Sequence, residues 1–110
     1  MAKFPDAVYV YGFRVPVTYS KRRPQWAPKR AVFGCVDFRD GAPRIWVNNT
    51  GNADDDRSTL LHELVHIALA SRNLTFLSSE EEELVVRVIE ATFNDVLSRN
   101  PAFVALYTET

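Results

Sequence analysis

Histidine and cysteine are scarce in this chain, whose 110 residues hold two histidines and one cysteine. A single cysteine excludes an internal disulfide, and Cys35 lies in an alternating apolar run where it reads as a small hydrophobe. An excess of one charge is also missing, since 13 basic side chains against 14 acidic ones give a formal net charge of -1. Such a balance leaves no bulk field to attract nucleic acid, and the local basic cluster Ser20 to Arg30 reads as a solvated loop, so no nucleic-acid partner is expected. No apolar run reaches signal-peptide or membrane-spanning length, so the expectation is a cytoplasmic protein with no membrane partner. Without repeats or a low-complexity linker, residues 1–110 are expected to form one domain, large enough for a core but too small for a two-lobed enzyme.

What is present falls into strands first and helices second. Ala7 to Ser20 is rich in Val and Tyr but broken by Gly12 and Pro16, which suggests an edge strand or two short extended pieces. Ala31 to Arg39 and Arg44 to Asn49 flank an Asp40-Gly41 turn signal, predicting an antiparallel pair. The period then changes. Asp54, Asp55 and Asp56 suit the positive end of a helix dipole, and Leu60, Leu61, Leu64, Val65, Ala68 and Leu69 follow at helical spacing, to an end near Ser71 to Asn73. A second helix starts after Ser78 or Ser79, where a glutamate three residues on completes a capping box, and Asn100-Pro101 ends it. Ala102 to Tyr107 is read as a short helical turn.

The scarce histidines sit together, in the stretch TLLHELVHIAL from Thr59 to Leu69. Random placement of two histidines four apart, with glutamate after the first, has odds on the order of one in a thousand. Positions i and i+4 share a helical face, so His62 and His66 can reach one ion. The rest of this helix is apolar around most of its circumference, and the exceptions form a strip of Thr59, His62, Glu63 and His66 that is expected to face a cleft. Two imidazoles supply one edge of a zinc tetrahedron, and Glu63 is placed as general base on zinc-bound water and then as acid to the leaving amine. No third histidine exists, so the third ligand is sought among the carboxylates Glu80 to Glu83 that open the next helix. Projecting Val85, Ile89, Phe93 and Val96 onto a helical wheel selects Glu82, with Glu83 and Glu81 as alternatives.

TLLHELVHIAL followed by SSEEEELVVRVIEATFNDVLSRNP resembles the small zinc-metallopeptidase-like proteins of bacteriophages, which are related to the ImmA/IrrE-type minimal gluzincins. The resemblance extends upstream to VFGCVDFRDGAPRIWVNN. It implies an α+β, zincin-like fold, with an antiparallel sheet of about three strands, an H-E-x-x-H helix and a second helix that supplies a glutamate. It also implies Zn2+ on His62, His66 and a glutamate of the Glu81 to Glu83 run, with Glu63 catalytic. The expected activity is hydrolysis of a protein or peptide substrate of phage or host origin, in an infected or lysogenic bacterial cytoplasm. Arg44 to Asn49 is read as a free edge for an extended substrate, and Tyr107 and Arg87 as candidate oxyanion donors. The alternative is an inactive zincin-fold module with a structural zinc, which engages a phage or host partner through the Trp26 loop and the N-terminal strand.

Overall fold

The computed structural model describes residues 3–72, 74 and 76–109, so Asn73, one end of the range expected for the first long helix to stop in, lies outside the described residues. The chain is α+β. It runs β1 (Ala7–Val10), β2 (Phe13–Ser20), β3 (Gly34–Asp37), a single 3-10 turn (Arg39–Gly41), β4 (Arg44–Asn48), α1 (Ala53–Ser71), α2 (Ser79–Arg99) and α3 (Pro101–Thr108). Among the described residues no helix is long and apolar enough to cross a membrane.

Ala7 to Ser20 forms a two-strand hairpin. Its turn places Tyr11 at φ 49° and Gly12 at φ 82°, the two left-handed residues that a tight hairpin of matching twist requires. Pro16 is tolerated because pairing of β2 with β4 begins one residue later, at Val17↔Ile45. β3 and β4 make the expected antiparallel pair, from Gly34↔Val47 to Asp37↔Arg44.

The sheet has four strands in the order β1-β2-β4-β3, and β2 runs parallel to β4, so it is mixed where three antiparallel strands were expected. The cause is the basic segment after Ser20. A parallel pair needs a long connection, here residues 21–43: β3 with its turn completes it, after residues 21–33 have reached the far edge by passing over a sheet face. Ala27 is buried there, Arg44 lies 4.2 Å over the Trp26 ring, and Trp46 Nε1 donates to Ser20 Oγ. The chain then returns along the far edge as β3, which leaves β4 in the interior with β2 on one side and β3 on the other.

The opposite sheet face carries Val15, Val17, Ile45 and Val47, which pack against Leu60 and Ile67 of α1. A second cluster joins Val65 and Leu69 of α1 to Val86 of α2. α1 is therefore sandwiched between sheet and α2, and no residue from Ser58 to Leu69 is exposed, as its nearly all-round apolar sequence demands. Asn52 caps α1 by accepting from the Asp55 N–H, and Ser78 with Glu81 forms a reciprocal capping box on α2. The hydrogen bonds from Ser78 hold the exposed Glu81 carboxyl below the ordinary glutamate value. Pro101, which has no N–H to lose, ends α2 and opens α3.

Asp56 ties the first turn of α1 to the sheet. It is 1 % exposed and accepts from Tyr19 Oη at 2.5 Å, from Thr50 Oγ1 at 2.5 Å and from the Thr50 N–H at 3.1 Å. The hydrogen bond to Asp56, helped by burial and by the carboxylate's charge, raises the Tyr19 phenol from 10.0 to about 12. Asp56→Ala is expected to lower unfolding free energy by about 2–3 kcal/mol, because it removes three hydrogen bonds to one buried carboxylate. The phenol has a linked signature. Its contribution is complete below pH 10.0 and is lost as pH rises toward about 12, since the unfolded chain ionises Tyr19 first. Urea titrations of wild type and Tyr19→Phe across that window measure it, and the variant lacks the slope.

Candidate metal centre

α1 presents Thr59, His62, Glu63 and His66 along one strip, and all four line a cleft of about 780 Å3 between α1, α2 and the sheet edge β3. Close approach of α1 to β3 depends on Gly34. A Cβ there would stand 2.7 Å from Thr59 Cγ2 and 2.7 Å from the Trp46 carbonyl oxygen, so a side chain would push strand and helix apart.

The two imidazoles turn their Nε2 atoms toward each other at 3.3 Å. Glu83 closes the group, with Oε1 3.0 Å from His62 Nε2 and Oε2 3.3 Å from His66 Nε2. Donors held about 2.0–2.2 Å from a tetrahedral zinc ion are separated by roughly 3.3 Å along each edge. The spacing of His62, His66 and Glu83 thus matches a three-donor metal site, and this group can hold a metal ion.

The outer ring nitrogens are also engaged. His62 Nδ1 lies 2.7 Å from Glu90 Oε1, and His66 Nδ1 lies 2.8 Å from Glu82 Oε2. An ionised carboxylate only accepts, so in the neutral rings each Nδ1 carries the proton and donates it. That tautomer directs both Nε2 lone pairs at one another and at the Glu83 oxygens. Such a convergence of acceptors is repulsive alone and favourable around a cation. Carboxylates behind metal-binding histidines fix ring orientation and raise basicity. Replacing Glu90 by leucine is accordingly expected to weaken metal affinity about 10–100-fold without unfolding the chain, as measured by chelator competition.

The carboxylate that converges with both Nε2 atoms is Glu83, where Glu82 was expected. Glu82 and Glu83 flank Val86, the buried residue of α2 among those described, by about 40° on one side and about 60° on the other, so both reach α1. Which of them meets the inner nitrogens depends on where the two rings lie: Glu83 stands within 3.3 Å of both Nε2 atoms, and Glu82 meets the outer nitrogen of His66. Glu90, which sequence reasoning missed, meets the outer nitrogen of His62, although a glutamate seven residues after Glu83 on the same helical face was a readable signal.

Glu63 lies beside these donors and is only 8 % exposed. Its Oε2 has no hydrogen-bond partner among the described residues. Burial pushes this carboxyl above its ordinary value, against the opposing pull of His62 and His66, while Glu83 and Glu90 push it further up. The remaining expectations meet the structure differently. β4 is paired on both sides, so the edge that borders the cleft is β3. Arg87 lies 3.6 Å from Glu83 and is largely exposed, and Tyr107 packs on Phe103 of α3, outside the cleft lining. Trp26, offered as a partner contact, is occupied by Arg44. Cys35 lines the cleft, and burial raises its thiol, with the charges of Glu63 and Asp37 adding to that.

The chain matches no protein-family model, no curated protein and no solved structure.

Proposed function

We propose that this chain is a minimal zinc-dependent peptidase, related to the phage-encoded ImmA/IrrE-type gluzincins, that hydrolyses peptide bonds in a host or phage protein. One observation carries the reading: Glu63 Oε2 is buried without a partner in the same cleft wall as His62, His66 and Glu83. A structural metal site has no use for a desolvated, unpaired carboxylate, whereas hydrolysis needs a proton acceptor at that place. Zinc suits two imidazoles and one carboxylate, and when bound it would acidify water and polarise a carbonyl.

The chain's own residues supply the remaining steps. His62, His66 and Glu83 hold the ion, with Glu90 and Glu82 fixing the two rings. Glu63 takes the proton of the attacking water and returns it to the amine nitrogen as the peptide C–N bond breaks. β3 offers its free backbone edge to an extended substrate, which lies along the cleft wall without needing a deep pocket. The alternative, a binding module of zincin fold with a structural zinc, calls for a fourth side chain on the ion. Among the described residues three such donors converge, which favours a position left for water.

The test is direct. Protein purified without chelator is expected to carry about one zinc per chain and to cut unstructured peptides, and removal of the metal is expected to stop cleavage reversibly. Metal binding without hydrolysis of any peptide favours the binding module.

A further inference from the structure

The cleft has a second polar feature, separate from its metal donors. Arg30 is exposed, lines the cleft and makes no ion pair among the described residues, although Glu63, Glu83 and Glu90 line the same space. Its turn is braced. The Ala31 N–H donates to the Pro28 carbonyl at 3.0 Å, and Arg23 Nη1 donates to the Lys29 carbonyl at 2.7 Å and the Ala31 carbonyl at 3.3 Å. Carbonyls on both sides of Arg30 are therefore held by one guanidinium, which leaves the Arg30 side chain free on a fixed backbone. Between this turn and β3 the wall is apolar, with Val32 and Phe33 exposed by 61 % and 64 %.

We infer that the ligand of this cleft is an extended peptide carrying a carboxylate, which Arg30 binds, next to an apolar side chain received by Val32 and Phe33. This names the substrate class of the proposed peptidase and rests on that reading for the site's use, but it concerns recognition rather than cleavage. The charge distribution sets the register. Arg30 is the one basic side chain lining the cleft among the described residues, so a ligand carboxylate is drawn to its end, whereas at the other end Glu63, Glu83 and Glu90 stand against the charge of the ion. A planar guanidinium on a rigid turn also pairs a carboxylate with two parallel hydrogen bonds, which a mobile lysine does not.

The test uses fluorescein-labelled octapeptides of apolar background, in which one Asp, Asn or Lys is moved through each position, with free or amidated C-termini. Binding is read by anisotropy on zinc-loaded Glu63→Gln protein, and cleavage is read separately on wild type. The best Asp peptide is expected to bind about fivefold tighter than its Asn counterpart. Arg30→Gln is expected to erase the ratio, and Arg30→Glu to turn the preference toward Lys. A preference that disappears on amidation identifies the carboxylate as the peptide terminus, and one that survives identifies it as a side chain; either supports the inference. Equal binding of Asp and Lys peptides, no binding of any peptide, or a ratio retained in Arg30→Gln overturns it. Selective binding without cleavage leaves it standing and sinks the peptidase reading, whereas cleavage without acidic selectivity does the reverse.

Discussion

Glu63→Gln is expected to keep its metal and to lose peptide hydrolysis by roughly two to four orders of magnitude, the usual weight of a positioned general base. The substitution preserves shape in a buried site, so packing against α1 and β3 is retained and circular dichroism should be unchanged. What it removes is the basicity of a carboxylate whose buried Oε2 has no hydrogen-bond partner among the described residues. A carboxamide neither accepts the proton of the attacking water nor returns it to the leaving nitrogen. The decisive comparison is kcat at saturating peptide, with zinc content measured on the same samples. Equal kcat in the two proteins removes Glu63 from the chemistry and favours a binding role. Loss of zinc along with activity would place Glu63 among the metal ligands instead.

The second large effect separates neighbouring glutamates. Glu83→Gln and His62→Ala are each expected to abolish stoichiometric zinc binding at micromolar protein, because each removes one of the three donors that converge among the described residues. Glu82→Gln is expected to retain one zinc per chain, with affinity reduced no more than about 10–100-fold, because Glu82 reaches only the outer nitrogen of His66. Elemental analysis after gel filtration gives the stoichiometry, and competition with a coloured chelator gives the affinity. The reverse ranking, with Glu82 essential and Glu83 dispensable, would show that α2 is turned differently about its axis in solution. Unchanged zinc in His62→Ala would remove the metal site altogether.

Side-chain identity at short sequence range carried much of this result. The i, i+4 histidines, the glutamate between them and the apolar circumference of Thr59 to Leu69 are properties of one helix, and helical geometry alone puts them on one face. The structure lines a cleft with the strip so defined, including Thr59. Helix boundaries were legible for the same reason, since the acidic first turn of α1, the capping box at Ser78 and Glu81, and Pro101 all act on backbone groups a few residues away.

Relations between elements were not legible in this way. A helical wheel shows which residues share a direction but not what that direction meets. Val86 docks on Val65 and Leu69, and Glu82 and Glu83 flank it, so which of the two meets the inner ring nitrogens is settled by how α1 lies against α2. Strand order was likewise hidden. The continuous apolar run Ile45, Trp46 and Val47 in β4 shows that its two faces are buried but says nothing of which edges are paired, and the parallel β2 partner arises from a connection that folds over Trp46.

The sequence by itself thus determined the helix, the histidine pair and the glutamate beside it, because those depend on local backbone geometry. Only the tertiary structure decided which glutamate converges with the two rings, the carboxylates behind each ring and the strand that borders the cleft. Those follow from how surfaces distant in sequence are buried against one another, and packing of that kind leaves no periodic trace in either partner.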